Sequence, residues 1–207
     1  MNQDNPYEMF ADEYESWFTE NNHLFMSEAE AIRSLLPEFE KGIEIGVGTG
    51  LFANALGIKE GVEPSSAMRA KAAARGITVF NAEVEKLPFD DSTYDLALMV
   101  TVDCFLQDLH LAFKEVHRIL KKKGSLVIAF LDNASPLGKV YDSKKDSNPF
   151  YASANFHTAD QIIGILRQSK FSVAKTCQTV FDLENKKQHI LPGTGKGVFV
   201  VILAKKL

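Results

Sequence analysis

The sequence runs to 207 residues, 45% of them hydrophobic and 24% charged, with a formal net charge of −4. That is enough chain for one domain with a full core, in the composition range of ordinary globular proteins. A mildly acidic chain without a long basic run argues against tracking of nucleic-acid phosphates, and no apolar run is long enough to span a membrane. Cys104 and Cys177 lie far apart, which predicts a reduced cytoplasmic setting. Met1-Asn2-Gln3-Asp4 is polar and acidic, unlike a signal peptide.

Residues 5–20 predict an aromatic-rich helix, with Phe10, Tyr14, Trp17 and Phe18 at i, i+4, i+7 and i+8. Ser27 and Glu30 have the spacing of a capping box, Phe25, Ala29, Ile32 and Leu36 form the inner stripe of the helix they would start, and Pro37 stops it. Ile43 and Ile45 belong to a short buried strand that ends in Gly46, Gly48 and Gly50 and turns into a helix reaching about Leu56. A strand from Ile58 to Val62, a helix from Ser66 to Arg75 with Gly76 as its stop, and a strand from Ile77 to Phe80 follow. Tyr94 to Val100 is nearly all apolar, as a central parallel strand covered on both faces requires. A helix from Asp108 to Lys121 shows Leu109, Phe113, Val116 and Leu120 on one face, and Gly124 turns the chain into a strand from Ser125 to Leu131.

Residues 132–157 predict an irregular insertion with no clear strand, marked by Pro136, Gly138, Pro149 and several aromatics. Thr158 with Gln161 caps a helix whose inner face is Ala159, Ile162, Ile163 and Leu166. Strands at 171–181 and 197–204 flank a polar segment with Pro192, Gly193 and Gly195, which predicts a hairpin and an antiparallel last strand. Strands alternating with helices predict an α/β chain with a seven-stranded, mostly parallel sheet and right-handed crossovers.

The glycine loop carries the first functional signal. Glycine admits positive φ and lets a ligand approach bare backbone, and the helix behind it directs free N–H groups and its positive dipole end back at the loop. Gly48-Thr49-Gly50-Leu51-Phe52-Ala53 gives a G-x-G-x-x-A that a nicotinamide or flavin unit could use. Glu44, Gly46, Gly48 and Gly50 also give acidic-x-Gly-x-Gly-x-Gly. A carboxylate there repels a pyrophosphate and suits a ligand with an ammonium group, such as the methionine part of S-adenosylmethionine.

With these residues the sequence resembles the class I S-adenosylmethionine-dependent methyltransferases. Pro64-Ser65-Ser66-Ala67-Met68 is similar to the family's continuation after the second strand. Ala82-Glu83-Val84-Glu85-Lys86-Leu87-Pro88-Phe89 resembles its Gly-Asp-Ala-Glu-x-Leu-Pro-Phe segment, with Ala82 in place of the glycine. His117 to Gly124 resembles the Arg-x-Leu-Lys-Pro-Gly-Gly turn, with Lys122 and Lys123 replacing Pro and Gly. The resemblance covers about residues 7–205 and is strongest to small bacterial members of the ubiquinone/menaquinone-biosynthesis (type 11) group. It implies one Rossmann-like three-layer domain over residues 1–207, with an N-terminal helical lid (1–37) and the insertion at 132–157.

The resemblance also implies the cofactor set Glu44, Gly46, Val47, Gly48, Gly50, Glu63, Pro64, Met68, Glu83, Val84 and Thr101. Glu63 ends the second strand, where an acidic side chain can accept both ribose hydroxyls of an adenosine. Glu83 falls at the adenine amino group and the Val84 N–H at a ring nitrogen. Methyl transfer to a small molecule by in-line displacement needs no metal, and no zinc or iron ligand set appears. The stretch Val100 to Leu106, where the acceptor would meet the methyl group, lacks Asn-Pro-Pro-Tyr/Phe and has Cys104-Phe105 where many relatives have His-His. The acceptor pocket is expected to be closed by Tyr14, Trp17, Cys104, Tyr141, Phe150, Tyr151 and Phe156. His157 is the first candidate for a base and Tyr14 the second. Two alternatives stay open: an NAD(P)-dependent oxidoreductase, and an S-adenosylmethionine-binding module without catalysis.

Overall fold

The computed structural model describes residues 5–207, so the signal-peptide reading of Met1 to Asp4 lies outside the described residues. Helices α1 (Pro6–Met9), α2 (Ala11–Glu20) and α3 (Asn22–Leu35) precede β1 (Gly42–Ile45). Then come α4 (Leu51–Leu56), β2 (Glu60–Val62), α5 (Ser66–Ala74), β3 (Thr78–Phe80) and β4 (Tyr94–Val100). The second half holds α6 (Leu109–Ile119), β5 (Leu120–Leu131), α7 (Pro136–Lys144), α8 (Ala159–Gln168), β6 (Phe171–Thr179), β7 (Leu191–Pro192) and β8 (Phe199–Lys206).

Strands that are apolar at every position need cover on both faces, and alternation supplies it. Leu96, Leu98, Val100, Val127, Ala129 and Leu131 enter one core with Leu24 and Ile32 of α3 and Phe52 and Leu56 of α4. The intervening Ala97, Met99, Leu126, Ile128 and Phe130 enter a second core with Phe113 and Val116 of α6 and Ile162 and Leu166 of α8. Two helical layers therefore sandwich the sheet, whose strand order is β3-β2-β1-β4-β5-β8-β6-β7. Strands β1 to β5 are parallel, and β8 runs antiparallel to both β5 and β6. The sheet has eight strands where seven were expected, because β7, within the polar segment of the hairpin, adds a two-residue edge opposite Cys177 and Gln178.

Four local expectations change. The aromatic helix breaks at Phe10 (φ −124°, ψ 38°), which divides it into α1 and α2. Ser27 caps nothing: α3 starts at Asn22, and the buried Ser27 hydroxyl donates to the His23 carbonyl one turn back (2.8 Å) and accepts the Gln188 N–H (2.9 Å). The insertion contains a helix, α7, whose N-cap Ser135 accepts the Gly138 N–H (2.9 Å) and whose Pro136 occupies the first helical position. The strand β5 begins at Leu120, paired with Tyr94, ahead of the expected Ser125. The Thr158/Gln161 box forms as read, with both reciprocal bonds present.

Two features position the loops that bear the site. The Gly46 and Val47 amides both donate to the Val62 carbonyl (2.8 and 2.9 Å), so the glycine loop leaves β1 locked to the end of β2. The buried Asp132 carboxylate accepts from Ala134 and Ala159 (3.0 Å each) and from Gly195 (3.2 Å), fixing the start of the insertion, the start of α8 and the hairpin at one point. The chain turns one way from β1 to β3 and the other way through β4 and β5, and the carboxyl ends at that reversal are where open α/β sheets bind ligands. Phe113 is fully buried in the α6 core. Phe113→Ala should lower the free energy of unfolding by about 3–5 kcal/mol, read by urea denaturation, through lost burial and the cavity it leaves.

Candidate active site

A cavity of about 1180 Å³ opens at the carboxyl ends of β1, β2 and β4. Gly46, Gly48, Glu63, Pro64, Met68, Glu83, Val84 and Thr101 line its inner part. Gly46, Gly48 and Gly50 have φ of +69°, +53° and +83°, the left-handed region that favours glycine. Their reasons differ. A Cβ on Gly46 would sit 2.4 Å from Val102 and one on Gly50 2.5 Å from Ile77, so both admit close packing of protein on protein. A Cβ on Gly48 would meet nothing within 4 Å, because that face looks into the cavity. Thr101, at the end of β4, holds φ +52° without being glycine, a strained conformation of the kind that collects at functional sites.

Glu63 joins the loop to the next helix. Its carboxylate accepts the Gly48 N–H (3.0 Å) on one oxygen and the Ser65 N–H (2.9 Å) on the other. Burial pushes its pKa up, and the two amides with Arg69 pull it back. Glu44 lies beneath the loop, outside the cavity lining, with 1% of its surface exposed. One of its oxygens has no hydrogen-bond partner, and burial holds its pKa well above the usual carboxylate range. The bare backbone face at Gly48, beside the Glu63 carboxyl in the lining, fits a ligand that approaches the loop closely. Val47 turns into the core against Gly61 and does not line the cavity; Gly50 does not line it either.

The outer wall is aromatic and comes from both ends of the chain. Tyr14 and Trp17 of α2, Tyr141 of α7, and Phe150 and Tyr151 after it all line the cavity. The Tyr7 ring stands 5.3 Å from Phe105 and 5.6 Å from Phe150, and its hydroxyl donates to the Phe150 carbonyl (3.2 Å). Tyr14 lies 5.7 Å from Phe150, and Tyr141 lies edge-on to Tyr151 at 5.9 Å. On the other side α1 and α2 are tied to α5. Glu8 accepts from the Ser65 hydroxyl (2.6 Å), the Ser66 amide (2.7 Å) and the Ser66 hydroxyl, which holds its pKa down at about 2. Lys71 and Arg75 pair with Glu15 of α2.

Three expected acceptor-side residues lie elsewhere. Cys104 is buried with its thiol pushed well up by burial, Phe156 packs against Tyr151 at 5.5 Å, and neither lines the cavity. His157 does not line it either. Its Nδ1 lies 3.0 Å from Oδ2 of Asp103, a carboxylate only 2% exposed, so the ring faces the turn after β4 instead of the acceptor space. The pair joins the segment before α8 to the 103–105 turn. Tyr14 does face the cavity, with its phenol raised above the ordinary range first by burial.

Several cavity residues were not anticipated, among them Tyr7, Phe105 and the buried acid Glu28. Glu28 of α3 lines the acceptor side and is 9% exposed, and burial alone raises its pKa to about 8. The signal was present: Glu28 falls three residues after Phe25 and four before Ile32, a charge on the apolar stripe. Among the described residues no group of His, Cys, Asp and Glu is placed to hold a metal, and no helix is long and apolar enough to cross a membrane.

Comparison with known proteins gives consistent likenesses. The methyltransferase domain family matches residues 43–128. An uncharacterised protein of Methanocaldococcus jannaschii is 40% identical over 98% of this chain and 100% of its own. The crystal structure of an S-adenosylmethionine-dependent methyltransferase of Thermotoga maritima, named as a "possible histamine N-methyltransferase", is 41% identical with a TM-score of 0.93, covering 97% of this chain and 98% of that one. The geranyl diphosphate C-methyltransferase of Streptomyces coelicolor, solved with S-adenosyl-L-homocysteine, shares the fold at 16% identity and a TM-score of 0.69, over 90% of this chain and 80% of that one.

Two outcomes follow from the geometry. Gly48→Val should fold with a loss of about 1–2 kcal/mol from its left-handed backbone and fail to bind S-adenosylhomocysteine in calorimetry, since the new side chain enters the cavity; a folded variant with unchanged affinity would place the ligand elsewhere. Glu28→Gln should show a gain in stability over the parent that grows with pH. The protonated Glu28 stabilises the fold below its ordinary value of 4.5, and that contribution is lost as pH rises through about 8. Between those values the gain should grow by up to about 1.4 kcal/mol per pH unit in urea denaturation, and a gain independent of pH would contradict it.

Proposed function

The chain belongs to the S-adenosylmethionine-dependent methyltransferases, and from that premise we propose that it methylates a small molecule held between the glycine loop and the aromatic lid. One observation carries the reading: a continuous cavity joins Gly48, Glu63 and Glu83 to Tyr14, Tyr141 and Tyr151. The donor end and the acceptor end are therefore one space, roofed by helices. Such a compact space with ring walls suits a small acceptor better than a polymer strand. The small molecule in the name of the Thermotoga maritima relative supports the same class of acceptor. Both cysteines are free and buried, which suits the cytoplasm.

When bound, S-adenosylmethionine supplies a methyl group on a sulfonium sulfur, and in the displacement the acceptor–carbon bond forms as the carbon–sulfur bond breaks and its electron pair returns to sulfur. The protein's own residues bind, align and exclude water. In this reading Glu63 takes the ribose hydroxyls, Glu83 and the Val84 amide take the adenine edge, and Pro64 and Met68 flank the base. Gly48 leaves room along the methionine part, with Gly46 beside it in the lining, and Glu44 lies buried beneath the loop that holds this part. Val47 and Gly50 shape the loop from behind, and the Thr101 backbone closes the space toward the acceptor. The oxidoreductase alternative fares poorly because the relative that is 41% identical over nearly the whole chain is an S-adenosylmethionine-dependent methyltransferase.

Calorimetry should show S-adenosylmethionine and its demethylated product binding in the micromolar range and NAD binding more weakly; the reverse order would sink this reading. Glu63→Ala should weaken S-adenosylhomocysteine by about 3–6 kcal/mol, the worth of two charge-assisted hydrogen bonds. An analogue lacking both ribose hydroxyls should lose much less, and equal losses would show that Glu63 acts only by holding the Gly48 and Ser65 amides.

A further inference from the structure

Glu28 has none of the structural uses that keep other buried carboxylates in place. Glu63 ties two amides, Asp103 faces His157, and Asp132 gathers three loop amides. Glu28 sits on the inner face of α3 at the acceptor end of the cavity, where no hydrogen bond or cation among the described residues offsets its burial. A carboxyl group so placed is costly to the fold unless a ligand completes it.

Its neighbours define what that ligand is. Tyr14 from α2, Tyr141 from α7 and Tyr151 from the turn beyond all line the same space, and the Glu28 charge adds to the rise in each phenol's pKa, which burial begins. Phenol ring faces attract cations, and a carboxylate among them forms a box for an ammonium group. The wider lining agrees: Glu13, Glu28, Glu63, Glu83, Glu85 and Asp108 give six acidic side chains against two lysines, which disfavours an anionic acceptor. Of those lysines, Lys145 already donates to the Ala154 carbonyl (3.0 Å) and pairs with Asp142 (3.3 Å), and Lys144 is exposed.

We propose that Glu28 is the acceptor-recognition residue of this site and that the acceptor it selects is an amine, bound as an ammonium group against the Glu28 carboxylate within the tyrosine box. This rests on the methyl-transfer reading above and names its substrate class. A protonated nitrogen has no lone pair to offer, so one proton must leave before reaction. It passes to Glu28: an N–H bond breaks, an O–H bond forms on the carboxylate, and the electron pair stays on nitrogen. Burial favours that neutral pair over the ion pair, since it lifts the Glu28 carboxyl to about 8. The phenols do not compete for the proton at neutral pH, Tyr141 being pushed up to about 12 and Tyr14 and Tyr151 also raised.

The test uses the full chain saturated with S-adenosylhomocysteine, titrated calorimetrically with 2-phenylethylamine, cyclohexylamine and imidazole-4-ethanamine, each against the alcohol of the same skeleton. At least one amine should bind tenfold or more tightly than its alcohol. Glu28→Gln should erase that preference while holding S-adenosylhomocysteine within twofold of the parent, which also reports that the variant is folded. Amine binding to the parent at pH 7 should release a proton, seen as a buffer-dependent heat, and the variant should not show it. If S-adenosylhomocysteine binds but no amine outdoes its alcohol, or the variant keeps the preference, the inference is overturned and the methyltransferase reading stands. If S-adenosylhomocysteine itself fails to bind the parent, both fall.

Discussion

The Glu63 carboxylate accepts one bond from the Gly48 amide and one from the Ser65 amide, and these two contacts hold the glycine loop, the end of β2 and the start of α5 at fixed spacing. Much of the site follows from that junction. The loop cannot swing because its earlier amides, Gly46 and Val47, are fixed on the Val62 carbonyl just upstream. The helix α5 begins where Ser65 caps it, and the same Ser65 hydroxyl donates to Glu8 of the lid. One acidic residue at a strand end thus couples the loop on one side to the lid on the other.

The same region carries a consistent electrostatic load. Glu28, Glu44 and Glu63 all have carboxyls raised chiefly by burial, whereas Glu8, on the exposed rim, is lowered by the hydroxyls and amides around it. Buried acids of this kind weaken the fold as pH rises, and any ligand that brings positive charge among them returns stability by binding the native state alone. A sulfonium donor and an ammonium acceptor are both cations. Either cation would favour the charged form of the carboxyl it meets, and its binding would release a proton near neutral pH where that carboxyl is raised as far as Glu28.

What could be read in the sequence, and what could not, divides by the kind of atom involved. Gly46, Gly48, Glu63 and the stretch from Ala82 to Phe89 were legible because backbone approach and strand-end chemistry demand particular residue types at particular spacings. The strand pattern was legible because alternation across β4 and β5 feeds two cores. The break at Phe10, the start of α3 ahead of Ser27 and the helix α7 were not, since tertiary contacts outweighed weak local signals; the capping role read for Ser27 was displaced by its bond with Gln188, far along the chain. The outer cavity wall was least legible. It is assembled from α2, α3, α7 and the turn after it, so no single stretch announces it, and the pairing of His157 with the distant Asp103 has no local signal.

The lid is fastened along two edges of different character. Toward α5 it is held by the exposed Glu8 on the Ser65 and Ser66 groups and by the half-buried Glu15 with Lys71 and Arg75. Toward the insertion it is held by ring contacts of Tyr7, Phe10 and Tyr14 with Phe150. Salt screens exposed charges and leaves ring contacts nearly untouched, while cooling weakens apolar contacts and spares ionic ones. High salt therefore weakens the charged edge more than the aromatic one, and cooling does the reverse. The medium thus decides which of the two edges holds these helices more firmly.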